Sequence, residues 1–234
     1  MKTQEIIDEL RSLGGESTKR TLMRHGAREP FFGVKVEDLK KIQKRVKTDH
    51  ALALELYDTG ISDAMYLAGL IADDPRMTRA DLQRWADGAY WSMLSEYTVP
   101  WVASGGPHGP SIALEWIESN QAQHAAAGWA TLSSLASTRP DDDLDLDGLA
   151  GLLQRVGASI HDQPNRVRYV MNGFVIAVGG YVPTLRPLAL ATAAKVGVVS
   201  VDMEGTACKV PFAKDYIDKM AARGVVKKRK SAKC

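Results

Sequence analysis

The sequence predicts an all-α protein, a curved solenoid of antiparallel helix pairs, and three observations predict it. Apolar residues recur at helical rather than alternating spacing along nearly the whole chain. Glycine and proline breakers cut that pattern into about a dozen segments joined by short loops, which fold back on their neighbours. The segment spacing is too irregular for tetratricopeptide or ankyrin repeats, and their signature residues are missing. HEAT-like pairs tolerate such irregularity, and a stack of them offers a concave side to an extended partner.

The elements follow in order. Ile6, Leu10 and Leu13 share a helix face before Gly14-Gly15 breaks the chain, and Ser17 to His25 gives a second short helix ended by Gly26. Phe31-Phe32-Gly33 reads as a loop that plugs aromatics under the next helix, whose core face is Leu39, Ile42 and Val46. Further helices are expected near 50–58, 62–73, 79–89, 91–103, 110–119, 122–137, 147–161, 164–179, 184–196 and 213–222. Ser62, Thr78 and Asp147 are the expected N-caps, and 196–201 reads as a short strand without an obvious partner. The organisation is one domain over residues 1–222 and a basic, flexible tail over 223–234.

Composition narrows the class. Hydrophobic residues at 45% and charged residues at 25% are ordinary for a soluble globular chain, and no apolar run reaches the ~20 residues of a membrane span. The two cysteines form no disulfide framework, which fits a reducing cytoplasm, and the five histidines lack metal-ligand spacing. Neither a cofactor nor a metal is expected. The net charge of +2 conceals an asymmetry, because six cations and no acid lie in 223–234, leaving −4 on the rest. Within that tail, Lys228 and Arg229 are candidates for holding phosphates.

Three stretches carry the candidate chemistry. In the 164–181 helix, at about 100° per residue, Asn165, Arg168, Tyr169 and Asn172 fall on one side, with Val167, Val170, Met171, Phe174 and Val178 on the other. The polar side, an arginine, an aromatic and two amides with no acid among them and Arg166 nearby, suits an anionic partner with flat rings better than plain solvation. The alternative is an ordinary amphipathic helix wetting its polar face. Residues 85–101 crowd Trp85, Tyr90, Trp91, Tyr97 and Trp101, with Ser95 at i+4 from Trp91 and Glu96 beside it. That is either core or a ring platform bordering a carboxylate. The small residues from Ala125 to Ala130 permit close helix contact, Trp129 fills the space beneath, and His124 reads as a surface histidine.

These segments, in their order and spacing, resemble the AlkD-like DNA alkylation repair family. The matching residues are the aromatic-plus-acid helix around Trp91, W-I-E-S-N at Trp116 to Asn120, N-G-F-V-I-A at Asn172 to Ala177, and the F-F-G-V-K-V segment from Phe31. The resemblance runs to about Tyr181. It implies a HEAT-like superhelix that binds DNA, duplex or branched, with low sequence specificity. In active relatives an aspartate stabilises the sugar cation left when a cationic alkylated purine departs, with tryptophans nearby. Here Ser95 stands at that aspartate, Phe174 at a second tryptophan and Ala126 at a phosphate-gripping arginine.

Three functions follow. The first is a DNA-binding member of the fold with weak or lost N-glycosylase activity, binding through Arg166, Arg168, Tyr169 and Asn172. The second is an active glycosylase using Glu96, with Trp91 and Ser95 in its site; one step along a helix turns Glu96 by about 100°, so it serves only if the helix register or the rotamer shifts. The third is a helical scaffold or small-molecule enzyme with a polar pocket of Glu96, Asn165, Arg168, Asn172, Asp202 and Cys208.

Overall fold

The computed structural model describes residues 2–224 and 227–233. Thirteen α-helices run through them: α1 (Thr3–Leu13), α2 (Glu16–Arg24), α3 (Val36–Val46), α4 (His50–Asp58), α5 (Ser62–Ile71), α6 (Arg79–Gly88), α7 (Val99–Gly105), α8 (Gly109–Trp116), α9 (Ala122–Thr138), α10 (Leu146–Ser159), α11 (Asn165–Tyr181), α12 (Arg186–Val196) and α13 (Ala213–Ala222). No strand occurs among the described residues, so 196–201 is not the short strand its β-branched run suggests. Val199 instead tucks singly into the core, beside the exposed Val198.

Two N-caps fall elsewhere than expected. Thr78 caps α6 as the sequence predicts, reciprocally with Asp81, but Ile61 precedes α5 and Asp145 caps α10. A short side chain at the first extended position reaches the free amides, and in D-L-D that residue is the earlier aspartate.

The core explains the order. Every residue of α5 is buried, and α9 and α11 bury most of theirs, so these helices form an inner layer with α7 between them. The half-buried α4, α8, α10 and α12 cover it from outside. A Cβ on Gly128 would lie 2.8 Å from the Ala113 carbonyl, so α9 sits on the α8 backbone as its small-residue run predicts. Trp129 packs edge-to-face on Phe174, with ring centroids 5.1 Å apart, which fixes α9 against α11. His124 is 5% exposed, with Nε2 at 3.0 Å from Asp87, so it joins α9 to α6 rather than lying on the surface.

Instead of hanging free, residues 227–233 are docked. Lys228 Nζ pairs with Asp141 at 2.7 Å and Lys233 Nζ with Asp74 at 2.7 Å, while Ala232 is buried in the N-terminal core. Cations read as free to bind phosphate are therefore partly neutralised within the fold. Burial pushes the Asp74 carboxyl from 3.8 up to about 6, against the pull of Lys233. The native state thus holds a proton that the unfolded state releases, and stability falls as pH rises from 3.8 towards 6. Lys233→Ala is expected to cost about 1–3 kcal/mol at pH 8 and less at pH 5, measured by thermal unfolding. An equal loss at both values would refute the coupling.

Candidate functional site

The start of α9, the start of α11 and the turn before α7 face a common cleft. That turn, Leu94–Thr98, is π-helical, and Val99 N–H donates to the Leu94 carbonyl five residues back. Its cause is legible in the sequence: Pro100 has no N–H to donate four residues back and would clash with the Glu96 carbonyl in a regular helix. The wider turn supplies the register shift that brings Ser95 and Glu96 together into the cleft wall.

The cleft holds about 820 Å³. Its centre is an ion pair, with Arg166 Nε at 2.7 Å and Nη2 at 2.5 Å from the two Glu96 carboxylate oxygens. The Glu96 side chain is 2% exposed and that of Arg166 is 31% exposed. Burial pushes the Glu96 carboxyl above its usual value, and the Arg166 hydrogen bonds and charge oppose that push. The guanidinium also lies over the Tyr169 ring, 4.5 Å from its centroid. Trp91 Nε1 donates to Ser62 Oγ at 2.8 Å, and the Tyr90 hydroxyl donates towards the Pro30 and Gly60 carbonyls, so both rings are held in place. Tyr97 is partly exposed, and burial of its hydroxyl end, then Tyr169 and Glu96, push that hydroxyl up to about 12.

Of the sequence candidates, Trp91, Ser95, Glu96, Arg166, Tyr169, Asp202 and Cys208 meet in this cleft, as does Ala126. Arg168 and Asn172 do not line it. Asn172 is buried and donates to the Pro211 carbonyl at 2.9 Å, while Arg168 Nε is buried with no hydrogen-bond partner among the described residues. Phe174 is fully buried under Trp129, which makes this aromatic structural. Lys228 and Arg229 lie against Ala136 and Ser137, ten or more residues along α9 from Ala126 and so about 15 Å from the cleft.

Two features were missed. The 198–212 segment crosses the cleft mouth: Asn165 exchanges two hydrogen bonds with the Asp202 backbone, at 2.9 and 2.8 Å, and Glu204 reaches Gly26 beside α2. It has no period, and beyond the turn at Glu204-Gly205 it leaves no trace that a periodicity reading detects. The other is α2, which buries none of its residues; its Thr21, Leu22 and Met23 line the cleft, as does Arg28 just after it, while Arg20 and Arg24 are exposed on the same helix outside the lining. Five basic residues in 19–28 were the available signal.

Stacked helix pairs around a concave, aromatic-lined cleft define a HEAT-like repeat protein of the DNA glycosylase type of fold. The chain belongs to the DNA alkylation repair enzyme family, whose model matches residues 6–199. It is 34% identical over 226 residues, 94% of this chain and 97% of theirs, to the uncharacterized proteins Lin0241 of Listeria innocua and Lmo0209 of Listeria monocytogenes. A solved structure with a TM-score of 0.91 and 36% identity, both chains fully covered, is described as one of "a new family of proteins related to the HEAT-like repeat DNA glycosylases with affinity for branched DNA structures".

Proposed function

We propose that this protein binds branched DNA along its concave side and does not hydrolyse the N-glycosidic bond. The observation that carries the second half is the engagement of both Glu96 oxygens by Arg166. A carboxylate that stabilises a sugar cation must face it unshared, and here an internal cation already takes both lone-pair faces. The first half rests on the affinity for branched DNA described for the 36%-identical solved relative, on Arg28 in the cleft lining, and on the exposed Arg20 and Arg24 of α2, the helix whose Thr21, Leu22 and Met23 line the cleft.

In a mobility-shift titration, a three- or four-way junction is expected to bind more tightly than a duplex of equal length. Arg20→Ala/Arg24→Ala is expected to weaken binding to all DNA forms alike. It should also reduce the slope of log affinity against log salt by about 0.9 per phosphate contact removed. Equal affinity for junction and duplex would overturn the branched-DNA reading, and an unchanged salt slope would remove α2 from the interface.

A second reading, glycosylase activity through Glu96, draws on the π-helical turn that aims this carboxylate into the cleft. Release of 3- or 7-methylpurine from methylated DNA by the wild type, lost in Glu96→Gln, would establish it in place of the first.

A further inference from the structure

We infer that the cleft receives unpaired bases at the branch point, stacked on Tyr97 and on the Arg166–Tyr169 pair, and that the 198–212 strap keeps a continuous duplex out. This rests on the branched-DNA reading and names the part of the branch that enters. The cavity of about 820 Å³ is on the scale of a small-ligand pocket, roughly 300–1,000 Å³, and far below a turn of duplex.

Its walls suit flat rings. Trp91 and Tyr90 are pinned by hydrogen bonds at their polar ends, so their rings are rigid. Tyr97 is 39% exposed and rests edge-on against Trp101, at 6.2 Å between centroids. Arg166 is held over Tyr169 by its two bonds to Glu96, so a planar cation is presented at the cleft without freedom to follow a phosphate. Stacking on such surfaces accepts any base, which agrees with recognition of DNA shape rather than sequence.

The strap supplies the exclusion. It is a 15-residue connection without regular secondary structure, longer than a compact fold needs between two helices. Two amides of α11, Asn165 and Asn172, tie it down at Asp202 and Pro211. Between those ties it puts the Asp202 and Glu204 carboxylates at the cleft mouth, where no ion pair neutralises them among the described residues. Two rows of duplex phosphates approaching there meet like charge, whereas a base swung out of a branch is neutral and brings few phosphates with it.

The test uses the full chain and a three-way DNA junction carrying two unpaired nucleotides at the branch, one of them 2-aminopurine. A control junction carries the probe within a paired arm. Binding is expected to quench the branch-point probe and leave the arm probe unchanged. Tyr97→Ala is expected to abolish the quench and to weaken binding of this junction by about 5- to 150-fold, the range of one lost base stack. Tyr97→Phe restores both. Asp202→Asn/Glu204→Gln is expected to raise duplex affinity and so narrow the preference for branched DNA. If no DNA is shifted, the branched-DNA reading falls and this inference with it. If the junction is shifted but both probes respond alike, or Tyr97→Ala leaves the quench intact, base capture is wrong while the branched-DNA reading survives. Unchanged duplex affinity in the double variant overturns the role of the strap.

Discussion

Replacing Arg166 by alanine is expected to lower the stability of the whole protein by about 3 kcal/mol at pH 8, the low end of what breaking a buried ion pair costs. The low end applies because the arginine side chain is 31% exposed, whereas its partner is 2% exposed. The loss comes from the carboxylate left behind, which keeps its burial and loses both bonds to Arg166. Its escape is to take up a proton. Burial already holds the Glu96 carboxyl above its usual value, and removal of Arg166 removes the one opposing influence. The folded variant then holds a proton that its unfolded form has released, so its stability falls as pH rises above the ordinary glutamate range. The deficit relative to wild type is therefore expected to be larger at pH 8 than at pH 5. Arg166→Lys restores it only in part, because one ammonium cannot span both oxygens as the guanidinium fork does. Denaturant unfolding at the two pH values measures this. A deficit independent of pH would mean that Arg166 acts through its packing on Tyr169 rather than through Glu96.

The helices were legible in the sequence because breakers bound them and most bury a periodic face; α2, which buries no residue, and α5, which buries all of its own, were marked by the breakers alone. The expected helices from 50–58 to 213–222 agree closely with α4 to α13 apart from the interruption before α7. The site was only half legible. Trp91 and Glu96 were found from their neighbours in the chain, but the wheel of the 165–181 helix grouped polar residues that serve two ends. Arg166 and Tyr169, three apart, face the cleft, while Asn165 and Asn172, seven apart, hold the strap. A helical wheel tells polar from apolar, but it cannot tell cleft from covering chain when that chain has no period of its own. The tail misled for a related reason. Six cations without an acid look free until Asp74 and Asp141, some 90 to 160 residues away and only partly exposed, pair with two of them, Lys233 and Lys228.

Those two ends also decide what a restored catalytic carboxylate does. Ser95→Asp puts back the residue that the family resemblance places there, and it is expected to destabilise the fold by about 3 kcal/mol or more without releasing methylpurine from methylated DNA. Ser95 is 4% exposed, and its hydroxyl is satisfied locally by donating to the Trp91 carbonyl at 3.3 Å. An aspartate cannot make that donation while ionised, and it stands next to Glu96 with only one arginine between them. Two buried carboxylates that share one cation cannot both stay charged, so one of them is held neutral at pH 7. A neutral acid does not stabilise a sugar cation. Nor is the second aromatic recovered, since Phe174 lies under Trp129 in the core and a tryptophan there would overpack at a cost of about 1–3 kcal/mol. Unfolding curves and a methylpurine-release assay on Ser95→Asp, alone and with Glu96→Gln, test this together. Release by the single variant at wild-type stability would show that the serine alone had silenced the site, and that the Glu96–Arg166 pair is no obstacle to catalysis.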